Sequence, residues 1–185
     1  FAEEEKELSK GEYERLLCAA KKRANLRLYY LMQTICSTGI RVSELKFITV
    51  QAVKSGQAKI NCKGKMRKIL LPEALCRVLK RYADKEGIAS GAVFCTKSGK
   101  PLNRSNIWAD MKRLCNAAGV LAKKVFPHNL RHLFARTFYS LQKDIVRLAD
   151  VLGHSNINTT RIYTMESGRT HLKQIQKIGR IFVEI

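Results

Sequence analysis

Apolar residues recur along most of this chain at helical spacing. Near the start, Ser9 and Glu12 stand three apart as a capping box, with Leu8 and Tyr13 placed as a hydrophobic staple, which predicts a helix from about Gly11 to Ala24. LRLYYLMQTICSTG is apolar over much of its surface and stops at Gly39, so it is expected to be the central buried helix. Three runs with strand character follow, near VQAVK, AKINCK and MRKILL, separated by SGQ and KGK turns, and predict a small three-stranded antiparallel sheet. Pro72 then opens a helix with Leu75, Val78, Leu79 and Tyr82 on one stripe, ending near Gly87.

The remainder reads as helix. Asn103 is a candidate cap for a segment running to Gly119, and PHNLRHLFARTFYSL sets Leu130, Leu133, Phe134, Thr137 and Leu141 along one stripe. DIVRLADVLG, NTTRIYT and a last helix around Thr170 to Ile178 complete the chain. The pattern gives one α+β domain, mainly α, with neither repeats nor a low-complexity linker.

Charge narrows the class of partner. Across 185 residues, 35 Lys and Arg stand against 15 Asp and Glu, a formal net charge of +20. Self-repulsion of that size weakens a compact state unless a polyanion neutralises it, which favours nucleic acid. An anionic membrane surface is the competing partner, but no apolar stretch is long enough to span a bilayer and the start carries no signal-peptide pattern. The six cysteines are spread singly, without a CxxC pair or histidines at finger spacing, as expected of reduced, mostly buried thiols in a cytosolic protein that uses no metal.

Four stretches carry candidate chemistry. In TGIRVSEL, Arg41 follows a helix-ending glycine and its planar fork is suited to two oxygens of one phosphate; a solvated surface arginine is the alternative. In KGKMRK, Lys63 lies at a predicted hairpin tip, where an ammonium serves either as a phosphate contact or as a proton donor to a departing alkoxide. In PHNLRH, His128 and Arg131 share a helix face and offer one anion a hydrogen-bond donor and a bidentate cation, whereas His132 beside the apolar stripe reads as a packing residue. In VLGHSNINTTRIY, His154 follows a glycine stop and Tyr163 lies nine positions on, either as chemistry or as the core aromatic of a helix-turn-helix.

Taken in order, Arg41, Lys63, His128, Arg131, His154 and Tyr163 resemble the active-site residues of the tyrosine recombinase, or phage integrase, family. TGIRVSEL resembles its first arginine box, CKGKMRKILLP the strand-turn-strand of its lysine, HNLRHLFA its His-x-x-Arg box, and LGHSNINTTRIYT the box ending in the nucleophile. The resemblance covers nearly the whole chain and implies the helical catalytic domain of that family. By this reading residues 1–185 form a single catalytic domain, a fragment lacking the N-terminal core-binding domain, with 168–185 a C-terminal tail.

The implied chemistry is attack by Tyr163 on a phosphodiester, giving a 3′-phosphotyrosyl bond and a 5′-hydroxyl, without metal, ATP or other cofactor. Arg41 and Arg131 would hold the non-bridging oxygens, His128 and His154 would add hydrogen bonds with His128 a candidate base, and Glu44 would orient a neighbouring histidine or arginine. The implied partners are double-stranded DNA and a homo-oligomer, a tetramer on synapsed DNA, with the tail docking on a neighbouring protomer. The setting would be the cytoplasm, with a bacterial or phage-encoded chain. A type IB topoisomerase-like enzyme and a non-catalytic helix-turn-helix DNA binder are the alternatives.

Overall fold

The structure is a computed structural model; it describes residues 4–62, 64–162, 172–173, 175–178 and 180. The capping box is formed: the Ser9 hydroxyl accepts from the Glu12 amide and the Glu12 carboxylate accepts from the Ser9 amide, starting α1 (Lys10–Lys22). Asn25 caps α2 (Leu26–Thr38), which buries Leu28, Leu31, Met32 and Ile35 and packs against both α1 and α7 (Pro127–Gln142). Gly39 ends α2 at φ 67°, where a Cβ would also meet the Phe134 ring at 2.5 Å. Glycine is required there twice over, by backbone conformation and by space.

The sheet has two strands among the described residues, not three. VQAVK is instead the helix α3 (Val50–Ser55), capped by the Thr49 hydroxyl, which accepts from the Ala52 amide at 3.0 Å, and closed by Gly56 at φ 74°. In a run this short, Val50 and Val53 fit a helical spacing as well as a buried strand, and the two caps decide. β1 (Gln57–Cys62) and β2 (Lys65–Leu70) pair antiparallel, with Cys62 opposite Lys65 as the pair nearest the turn. Beyond that pair, Gly64 has the positive φ, 77°, that tight hairpin turns favour.

α4 (Glu73–Lys85) follows Pro72 and buries Leu75, Leu79 and Tyr82. The predicted helix from Asn103 to Gly119 is broken into α5 (Arg104–Lys112) and α6 (Cys115–Ala118), where the Leu114 amide turns back to Met111 in a tighter i→i+3 bond. α7 begins with Pro127, and its buried Asn129 donates to the carbonyls of Lys6 and Lys124 at 2.9 and 2.7 Å, tying this end of the helix to the N-terminal segment.

The expected stripe of α7 holds only in part. Leu130 is fully buried, but Thr137 and Leu141 are exposed, because Phe134, Ala135 and Phe138 face α8 (Ile145–Leu152) and form a small second core with Leu148 and Leu152. α9 (Ile157–Arg161) is capped by Asn156. The last predicted helix, Thr170 to Ile178, lies partly outside the described residues; 172–173 and 175–178 are helical, with Leu172, Ile175 and Ile178 exposed.

Candidate active site

The ends of helices bring four of the sequence-predicted side chains together. Arg41 stands just past the glycine that ends α2, at the start of a 3-10 turn (Val42–Phe47). Glu44 in that turn is buried; its carboxylate accepts from the Arg41 amide at 3.0 Å and from the Arg41 guanidinium at 3.1 Å. His128 and Arg131 project from the first turns of α7. A cavity of about 340 Å³ opens between these elements, lined by Arg41, Ser43, Arg104, Trp108, His128 and Arg131 among others.

Arg131 is the largest fully buried side chain, at 1% exposure. Burying a guanidinium is costly unless its donors are satisfied. Here it donates to the carbonyl of Gly39, to that of Leu152 at 2.9 Å and to His154 Nε2 at 3.1 Å. The α2 and α8 C-termini thus both end on one cation, a favourable end for each helix dipole.

His154 is set by the way α8 stops. Gly153 at φ 69° completes a Schellman-type end, in which the His154 amide bonds Ala149 and the Gly153 amide bonds Asp150. A guanidinium only donates, so Nε2 accepts from Arg131, and Nδ1 carries the proton toward the Thr160 hydroxyl at 2.9 Å. Burial, then the charges of Arg131, Arg41 and Arg67, push the His154 pKa down to about 4.

His128 is exposed, with its ring 4.5 Å from that of His132. Desolvation on the packed side and the cations Arg131, Arg104 and Arg41 lower its pKa. His132, half-buried, is pushed down to about 4 by burial and then by His128, Arg136 and Arg131. Neutral imidazoles beside fixed guanidinium charge suit a site that takes up a phosphate and moves a proton. Among the described residues no group of three or more His, Cys, Asp or Glu side chains is placed to hold a metal ion.

Lys63 and Tyr163 lie outside the described residues; their neighbours Cys62, Gly64 and Ile162 lie within them. Three residues at the site were not singled out by sequence reasoning. Arg104 and Trp108, four apart on α5, line the cavity, and Trp108 is 51% exposed with the Lys112 ammonium over its ring. Arg67, from β2, bonds Glu44 at 2.7 Å and the end of α8. A helix-face reading of RSNIWADMK could have paired Arg104 with Trp108, but nothing local marks Arg67 among the cations of its hairpin.

The phage integrase family matches residues 6–169. The tyrosine recombinase XerH of Campylobacter jejuni is 32% identical over 85% of this chain and 47% of its own length, and XerD of Xanthomonas axonopodis pv. citri is 34% identical over 92% and 61%. Among solved structures, XerA recombinase superposes with a TM-score of 0.75 at 27% identity, covering 94% of this chain and 63% of that one. XerH bound to its difH substrate in a pre-cleavage complex gives 0.73 at 26% identity, covering 94% and 53%. The chain spans about half to three fifths of the length of the curated relatives it matches.

Proposed function

Because the chain belongs to the phage integrase family, we propose that it is the catalytic part of a site-specific DNA recombinase that cuts and rejoins strands through a tyrosine. The observation that carries this reading is the convergence of Arg41, His128 and Arg131 on one cavity, with His154 bonded to Arg131. Such a cluster can bind a phosphate through bidentate donors and stabilise the charge that develops on its non-bridging oxygens. The net charge of +20 favours the duplex as partner.

In the proposed reaction the Tyr163 oxygen attacks phosphorus and loses its proton to His128, whose lowered pKa leaves it neutral and able to accept. The 3′-phosphotyrosyl bond forms as the bond to the 5′-oxygen breaks, and Lys63 gives that oxygen its proton. Attack by the 5′-hydroxyl of another strand reverses each transfer, so phosphodiester energy is retained. Arg41 and Arg131 hold the non-bridging oxygens, and Glu44 orients Arg41.

Residues 1–185 act as one catalytic domain in this reading, working as a tetramer on synapsed DNA in the cytoplasm. The exposed Leu172, Ile175 and Ile178, at i, i+3 and i+6, suit a C-terminal segment that docks on a neighbouring protomer. The test is a suicide duplex resolved on a denaturing gel. The wild type yields a covalent adduct and Tyr163→Phe binds the duplex yet yields none; an adduct that persists in the variant would assign the nucleophile elsewhere.

A further inference from the structure

Arg67 is the one side chain that joins the hairpin to both halves of this site among the hydrogen bonds described. It leaves β2 opposite Ile60 and reaches a region of the structure far away in sequence. One end of its guanidinium meets Glu44 Oε2 at 2.7 Å, and that carboxylate already holds Arg41 through Oε1 at 3.1 Å. The other end donates to the carbonyl of Leu152, and at 3.4 Å to that of Val151.

The end of α8 explains why those two carbonyls are available. The last four carbonyls of a helix have no partner within it. The Schellman-type turn takes Asp150 and Ala149, which leaves Val151 and Leu152. Leu152 then accepts from Arg131 as well as from Arg67, so two cations from separate elements fix the residue two before His154. Gly153 has a second reason to be glycine: a Cβ there would lie 2.5 Å from the Arg67 side chain. The turn is shaped to let this arginine pass.

We propose that Arg67 is a positioning residue for strand cleavage: by bridging Glu44 and the end of α8 it fixes Arg41 and the His154 turn relative to each other. The inference rests on the recombinase reading above. Arg67 touches no phosphate in this role. It acts through Arg41, which lines the same cavity as the buried Arg131, and through His154, which is bonded to Arg131. A lysine cannot substitute, since its single ammonium reaches one acceptor group and lacks the planar fork that spans both.

The test compares wild type, Arg67→Lys and Arg67→Met in single-turnover cleavage at saturating duplex. Each is run on an ordinary scissile phosphate and on a methylphosphonate, in which one charged non-bridging oxygen is replaced by methyl. If Arg67 sets the geometry of the cations, Arg67→Lys loses about 10²-fold on ordinary DNA, the scale of an ångström misplacement. It loses far less on methylphosphonate, where the transition state carries less charge to stabilise, so the ratio of the two rates rises by roughly tenfold or more over wild type.

That ratio is taken within one protein, so a smaller folded fraction cancels, and it remains informative for Arg67→Met even where that variant is less stable. A ratio equal to wild type in both variants, whatever the absolute rates, would overturn the proposal and leave Arg67 a purely structural ion pair. A wild type that forms no tyrosine adduct would instead overturn the recombinase reading, and the inference with it.

Discussion

Arg131 and His154 meet at 3.1 Å, guanidinium to imidazole, in a contact where only the cation can be the donor. The geometry requires a neutral His154, in line with a pKa pushed down to about 4. An arriving phosphate brings the charge that burial and the arginines deny the ring.

Histidine-side-chain NMR should therefore show His154 titrating near 4 in the free protein and at higher pH with duplex bound. Its folded pKa lies below the unfolded value of 6.5, so between those values the unfolded chain binds more protons. Stability from this histidine, and from His132, is complete above about 6.5 and declines as the pH falls toward 4. Melting temperatures across that window should fall with acidification, and His154→Gln should flatten part of the slope. A His154 resonance that titrates near 6.5 without DNA would contradict the contact.

Gly39→Ala tests the junction of α2 with the site. The substitution meets a positive φ of 67° and the Phe134 ring at 2.5 Å, and should cost at least about 2 kcal/mol in urea unfolding. Since the Gly39 carbonyl accepts from Arg131, cleavage should fall further than the loss of folded protein explains.

Lys63 separates two kinds of contact. As general acid, Lys63→Ala should slow cleavage of saturated DNA by about 10²–10⁴-fold and recover on a strand whose bridging 5′-oxygen is sulfur, a leaving group that needs no proton. Equal defects on both strands would make Lys63 a phosphate contact only.

Binding should weaken steeply between about 50 and 200 mM salt as released counterions are recaptured. Arg104→Ala should reduce the slope of log affinity against log salt by about one, as expected for one lost phosphate contact. Excess chelator should leave cleavage unchanged if, as proposed, Arg41 and Arg131 supply the charge that meets the phosphate. An unchanged slope would place Arg104 off the DNA path.

The order of the four boxes, the capping residues Ser9 and Asn103, and the glycine stops at Gly39 and Gly153 were all legible in the sequence, because each depends on neighbours within a turn or two. Local spacing also paired His128 with Arg131 on one helix face. It could not decide VQAVK, where five residues satisfy two periods and the caps choose helix α3 over a third strand. Nor could it carry the stripe of α7 to Leu141, whose exposure depends on where α8 packs. Tertiary structure alone decided that Arg131 is buried on two helix ends, and that Glu44 serves Arg67 as well as Arg41. Arg67 and Leu152 are 85 positions apart. A residue's charge is written in the chain, but the carbonyls that the charge will satisfy are set by which helix ends the fold brings within its reach.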